Sequence, residues 1–152
     1  MSTAVLILTL NEIDGIKEIL PQINKSWAEE IVVIDGGSTD GTIDEAKRMG
    51  FPVIIQKRRG HGDAIVTGVN ATKSDNILIF GPDGNHESEE IPRLIEKIKE
   101  GYDQVLISRF GKGSKNLDAV GFKGKIIDYF GNKMFAFLVN VFFGGHWTDC
   151  LN

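Results

Sequence analysis

The feature that most constrains this chain is an alternation through its first two-thirds. Short apolar, β-branched runs take turns with segments whose apolar residues recur every three or four positions. Thr3 to Leu10 is a continuous apolar run, as expected of a strand buried on both faces. Ile13, Ile16, Leu20 and Ile23 follow at helical spacing, with Asn11 placed to cap that helix. Glu30 to Asp35 reads as a second strand and Gly36 to Gly41 as a turn. Thr42 and Glu45 then have capping-box spacing for a helix that stops at Gly50. A short strand from Pro52 to Gln56, a basic glycine loop and a helix from about Gly62 to Ala71 come next. Asn76 to Phe80 is a fourth strand. Ile91, Leu94, Ile95 and Ile98 form the buried stripe of a further helix, stopped by Gly101, and Asp103 to Ser108 is a fifth strand.

Strands separated by helices of roughly ten residues demand right-handed crossovers, hence a mostly parallel sheet with helices on both faces, a three-layer α/β/α domain. With 152 residues, the chain suits one such domain over 1–152 rather than two. A net charge of -4 and a pI near 5.4 count against a nucleic-acid binder, although residues 109–133 carry six basic side chains against two acids. The single cysteine, Cys150, excludes an internal disulfide and fits a reducing compartment. Ala4 to Leu10 lacks a basic leader and reads as a strand, not a signal peptide. Met134 to Phe143 falls well short of the roughly 20 apolar residues that cross a bilayer.

Open parallel sheets bind ligands beyond the carboxyl ends of their strands. The polar residues best suited to chemistry follow strand ends here: Asn11 and Glu12, Asp35, Asp83, and Arg109. The most specific segment is VVIDGGSTDGT, Val32 to Thr42. Asp35 can accept hydrogen bonds from a base or ribose, and the glycines behind it let a nucleotide approach the backbone. Ser38, Thr39 and Asp40 are also good caps, so a plain helix-capping turn stays open. His61 and His86, beside glycine loops, read as exposed turn residues rather than catalytic bases. Cys150 has no base at a recognisable spacing.

TLNE (Thr9 to Glu12), VIDGGSTDGT, RGHGDA (Arg59 to Ala64), PDGNH (Pro82 to His86), ISR (Ile107 to Arg109) and DCLN (Asp149 to Asn152) occur in that order. Together they resemble the family 2 glycosyltransferases of the dolichyl-phosphate sugar synthase type, over essentially the whole chain. The resemblance implies a GT-A-like fold and transfer of mannose or glucose, with inversion, from a nucleotide diphosphate donor to a polyprenyl or dolichyl phosphate. The donor would be GDP-mannose or UDP-glucose, and the enzyme would work peripherally on the cytoplasmic face of a membrane. Carried over residue by residue, it implies nucleotide contacts from Thr9, Leu10, Asn11, Glu12, Asp35, Gly37, Gly60 and Gly62. It implies Mg²⁺ or Mn²⁺ at Asp83 with Asn85, and catalytic roles for Asp83 and Arg109. Such a transfer builds negative charge on the departing diphosphate, which a cation held by oxygen ligands and an arginine both stabilise.

Three positions depart from the family pattern. Gly81 stands where an acidic triplet begins, Gly36 replaces a second aspartate, and the sequence ends at Asn152 before an expected glycine, aromatic and arginine. A C-terminally truncated chain or a weakened enzyme is then expected. Two alternatives stay open: a non-catalytic nucleotide-sugar-binding module, and a family 2 transferase acting on a polysaccharide or other glycan. A nucleotidyltransferase is the weaker reading, because Asn11-Glu12 follows the first strand where a glycine-rich basic loop belongs. Residues 124–145 are rich in Phe, Ile and Leu beside Lys123, Lys125 and Lys133. They suit either a helix lying in a membrane interface or a core helix packed under the sheet.

Overall fold

The structure, a computed structural model, describes residues 1–83, 87–107, 131, 133–142 and 144. The chain divides into two units, Met1–Val105 and Leu106–Asn152. In the first, β1 (Thr3–Thr9), α1 (Ile13–Ile19), a 3₁₀ turn (Leu20–Gln22), β2 (Glu30–Asp35), α2 (Thr42–Arg48), β3 (Val53–Ile55), α3 (His61–Ala71), β4 (Asn76–Phe80) and α4 (Glu90–Ile98) follow in order. The four strands form one parallel sheet in the order β3-β2-β1-β4.

All seven residues of β1 are buried, which explains why its run is apolar without alternation. Val5 and Ile7 face one layer, where Ile16 and Ile19 of α1, Ala46 of α2, and Ile91 and Ile95 of α4 pack. Leu6 and Leu8 face the other, with Ile34 of β2 and Ala64 of α3. The expected α/β/α layering is therefore present. Gly68 lets α3 lie close to the sheet: a Cβ there would fall 2.5 Å from Leu6 Cδ1 and 3.2 Å from Ile34 Cγ1.

The expected elements as far as α4 recur with small shifts, and four local differences stand out. Pro21 cannot donate to the helical ladder, so α1 ends at Ile19 and the chain continues as a 3₁₀ turn. Asn11 does not cap α1. The cap position is Glu12, while Asn11 adopts a left-handed φ of 54° and turns its side chain to another loop. Thr42 lies inside α2 behind Gly41 rather than capping it, and Glu45 pairs with Arg48. Residues 103–107 form no strand, and Ser108 lies outside the described residues.

Strand order also locates the site. The chain steps outward from β1 to β2 to β3, then crosses back to place β4 on the far side of β1. That reversal opens a crevice at the carboxyl ends of the strands, where sheets of this kind bind ligands.

In the second unit, residues 133–142 are helical. Met134, Phe135, Phe137, Leu138, Val141 and Phe142 are exposed along one side, up to 74% for Phe142, and Ala136 on the other side is buried. These six lie within one broad stripe at 100° per residue. No helix among the described residues is long and apolar enough to cross a membrane.

Candidate functional site

The carboxyl ends of β1 and β2 are tied together by Asp35. It is fully buried, and both oxygens of its carboxylate are engaged. Oδ1 accepts from the backbone N–H groups of Gly37 at 2.8 Å and Ser38 at 2.7 Å. Oδ2 accepts from the hydroxyls of Thr9 at 2.8 Å and Ser38 at 2.7 Å. Four bonds use about all the acceptor capacity a carboxylate has. Asp35 is thus an internal organiser, and no oxygen of it is left to face a ligand.

The order spreads outward. The Ser38 hydroxyl accepts from the N–H of Asn11, and Asn11 Oδ1 accepts from the N–H of Thr39. This reciprocal clasp holds Asn11 in its left-handed conformation, which asparagine tolerates better than most residues. Asp40 Oδ2 accepts from the N–H of Ile13, while Thr42 Oγ1 accepts from the N–H of Glu12. The first-turn donors of α1 are thereby satisfied from a loop 27 or more residues away rather than by a local cap. The Thr42 hydroxyl foremost, then the N–H groups of Thr42 and Ile13, holds the Asp40 carboxyl below its ordinary value, with desolvation partly opposing.

Beside this framework lies an open cleft of about 200 Å³, lined by Leu8, Thr9, Leu10, Gly36, Gln56, Gly60, His61 and Ala64. It gathers the ends of β1 and β2, the residue after β3, and the start of α3. Gly60 precedes α3 with a φ of 108°, which a side chain would strain, and no side chain caps the helix. The first turn of α3 therefore brings its N–H groups and positive dipole end to the cleft. Lys57, Arg58 and Arg59 are exposed in the preceding loop. The N–H of Arg58 is held by Asp63 Oδ2 at 2.8 Å.

On the other side of β1, β4 leads into Gly81, Pro82 and an exposed Asp83. Gly15 in α1 makes this arrangement sterically tolerable. A Cβ there would lie 1.9 Å from the Pro82 carbonyl oxygen, with Glu12 Oε2 3.7 Å from the same point. Glu12 and the segment carrying Asp83 are therefore neighbours. A Cβ on Gly81 would sit 3.8 Å from Asp83 Oδ1, so the missing first acid of the triplet would fall beside the second.

Of the residues picked from the sequence, Thr9, Leu10 and Gly60 line the cleft. Asn11, Glu12, Asp35 and Gly37 build its frame, and Gly62 is an exposed residue in the first turn of α3. Asp83 occupies the β4 side of the switch point. Asn85 and Arg109 lie outside the described residues, as do His86 and Cys150; His61, read as a turn residue, opens α3 on the cleft wall. Sequence reasoning singled out Gly36 but missed Gln56 and Gly15. The available signals were a polar residue ending a strand and a glycine inside a helical pattern with no local need for it.

A parallel α/β sheet with its cleft at the carboxyl edge, beside a chain reversal, is the class this architecture defines. Residues 4–148 match the family model described as Glycosyl transferase family 2, and the chain belongs to that family. It is 30% identical over 142 residues to glycosyltransferase AglJ of Haloferax volcanii, covering 90% of this chain and 45% of that protein. It is 33% identical over 123 residues to a dolichol-phosphate mannosyltransferase of Pyrococcus furiosus, covering 76% and 35%. Glucosyl-3-phosphoglycerate synthase of Mycobacterium tuberculosis, solved with Mn²⁺ and UDP-glucose, is structurally similar. Its TM-score is 0.55 at 27% identity, over 66% of this chain and 40% of that one. The chain spans less than half the length of each of these relatives. The GT-A-like fold is thus the observed one.

Proposed function

We propose that this chain is the donor-binding part of an inverting transferase that moves a hexose, mannose or glucose, from a nucleotide diphosphate to a polyprenyl phosphate. The carrying observation is the convergence of the β1 and β2 loops and the start of α3 on one cleft, with Asp83 across β1. A nucleoside would occupy the cleft, and its diphosphate and sugar would extend over the end of β1 toward Asp83. In the reaction, the bond from the anomeric carbon to the donor diphosphate breaks as one to an acceptor phosphate oxygen forms. The nucleoside diphosphate leaves. A phosphomonoester acceptor is already largely ionised at neutral pH, so the protein need not supply a base.

The residues present fit a divalent cation. Asp83 offers a hard, exposed carboxylate, and the Glu12 side chain approaches the segment that carries it. Mg²⁺ is commonly held by one or two carboxylates together with substrate phosphates. When bound, Mg²⁺ or Mn²⁺ would offset charge on the departing diphosphate. Relatives' names support both the donor and the acceptor class: a dolichol-phosphate mannosyltransferase on one side, a synthase solved with UDP-glucose on the other. The exposed apolar stripe on 133–142 suits peripheral contact with the membrane that carries a polyprenyl lipid, at its cytoplasmic face.

One observation favours a second reading. Gly81 stands where the acidic triplet begins and leaves Asp83 without a carboxylate beside it at that position, as a weakened or non-catalytic nucleotide-sugar module would have it. The test is to incubate the full protein with labelled GDP-mannose or UDP-glucose, Mg²⁺ or Mn²⁺, and dolichyl phosphate in vesicles. Labelled glycolipid is expected. Donor binding without any glycolipid would leave the module reading in its place, and label in a glycan instead would point to a polysaccharide acceptor.

A further inference from the structure

The cleft contains one side-chain amide, that of Gln56, whose two ends have different fates. Its Nε2 donates to the carbonyl oxygens of Arg58 at 2.6 Å and Gly60 at 3.3 Å. Both partners are carbonyls, which only accept, so the NH₂ end must face them and the amide cannot be turned over. Its backbone N–H donates to the Asp35 carbonyl at 2.9 Å, which fixes the residue to the end of β2. The remaining polar atom is Oε1, an acceptor that meets no hydrogen-bond donor among the described residues, on a half-buried residue lining the cleft.

The surroundings narrow what that acceptor could meet. Leu8, Leu10 and Ala64 give the cleft an apolar wall, and Gly36 and Gly60 contribute backbone without side chains. The Thr9 hydroxyl is already given to Asp35. An apolar cleft with a fixed acceptor and helix N–H donors beside it suits the edge of a planar base that pairs a donor with an acceptor. In the uracil and guanine of the two donors proposed above, that pair is the lactam group, whose donor is the ring N–H.

We propose that Gln56 is a specificity residue whose Oε1 accepts a hydrogen bond from the ring N–H of a uracil or guanine base, while its NH₂ holds the glycine loop at the start of α3. The proposal rests on the nucleotide-donor reading above. The test uses titration calorimetry on the full protein with UDP and GDP, and with 3-methyl-UDP and 1-methyl-GDP, in which that N–H is replaced. For whichever diphosphate binds, methylation should weaken binding by about tenfold or more in the wild type, the worth of one buried hydrogen bond left unmade. In Gln56→Leu, overall affinity should fall and the methylation penalty should shrink to less than about twofold. A penalty of the same size in the variant, or none in the wild type, overturns the role given to Gln56 and leaves the donor reading standing. Absence of binding by both UDP and GDP overturns the donor reading and this proposal together. If Gln56→Leu fails to fold, Gln56→Glu takes its place: it keeps an acceptor but cannot hold the loop carbonyls, so the penalty should persist on a weaker baseline. Loss of the penalty there would overturn the assignment.

Discussion

Replacing Asp35 separates two roles that the sequence could not tell apart, that of nucleotide ligand and that of internal organiser. In Asp35→Asn the amide oxygen can stay on the N–H groups of Gly37 and Ser38, which have no alternative but to donate. The amide NH₂ then faces the hydroxyls of Thr9 and Ser38, which can rotate and accept instead. The loss is mainly charge assistance, plus a Ser38 proton left without its acceptor, about 2 kcal/mol in all. Asp35→Ala is different in kind. It leaves the buried Thr9 hydroxyl and the part-buried N–H groups of Gly37 and Ser38 without their acceptor at about 1–3 kcal/mol each, about 3–9 kcal/mol together. That rivals the whole stability of a small domain, about 5–15 kcal/mol. Urea unfolding followed by tryptophan fluorescence and circular dichroism reads both. The asparagine variant should lower the midpoint by about 1–2 M, given slopes of about 1–3 kcal/mol/M, and the alanine variant should be unfolded or nearly so. Nucleotide affinity in Asp35→Asn should weaken only as far as the loops loosen. An Asp35→Ala protein as stable as wild type but unable to bind nucleotide would refute the organiser role and restore Asp35 as a ligand contact.

Three further expectations follow from the same geometry. Gly15→Ala places a methyl 1.9 Å from the Pro82 oxygen, so α1 and the 81–83 segment must part by more than 1 Å. The expected result is about 1–3 kcal/mol of destabilisation in a thermal melt, and a fall in turnover much larger than any change in nucleotide affinity; wild-type behaviour in both would refute the close approach. Gly81→Asp should tighten Mn²⁺ binding about tenfold, and Asp83→Asn should weaken it, in a calorimetric titration with UDP present, because a carboxylate at 81 would stand beside the first. Asp40, Glu30 and Asp75 all have folded carboxyls held below their ordinary values, chiefly by the Thr42 hydroxyl, the Thr72 hydroxyl and the Ser2 N–H respectively. Their contribution is present above the ordinary carboxylate range and fades as pH drops through the lower folded values. Stability should therefore decline on acidification from about pH 5 to pH 3, and Asp40→Asn should flatten that decline without abolishing it, read by urea midpoints against pH.

What could be read in advance was what depends on local pattern. The strand from Thr3 was legible because burial on both faces demands an unbroken apolar run, and β1 is buried at every position; the strand from Asn76 keeps an apolar run although Ile79 is exposed. The strand-end placing of Asp35 and Asp83 was legible because such ends are polar breaks in those runs. Long-range contacts were not legible. Asn11 has the right chemistry for a cap, yet the N–H groups it would have served are taken by Asp40 and Thr42, and its own side chain goes to Thr39. Residues 103–107 look like a strand by composition, but the described sheet ends at β4 on that side. Gly15 resembles any helical glycine until Pro82 is seen behind it. Gln56 looked like the last residue of a strand, because nothing in a linear pattern says which end of an amide is already spoken for.

Gly68 carries a consequence beyond packing. Two helical turns before it, the same rigid rod presents its first residues to the cleft wall. The height at which that rod rides over Leu6 and Ile34 is set by the thickness of one hydrogen atom. Any larger group at 68 would act as a shim, tipping the rod away from the sheet and widening the gap between its tip and the ends of β1 and β2. The aperture for the ligand is thus calibrated from a point that no ligand touches.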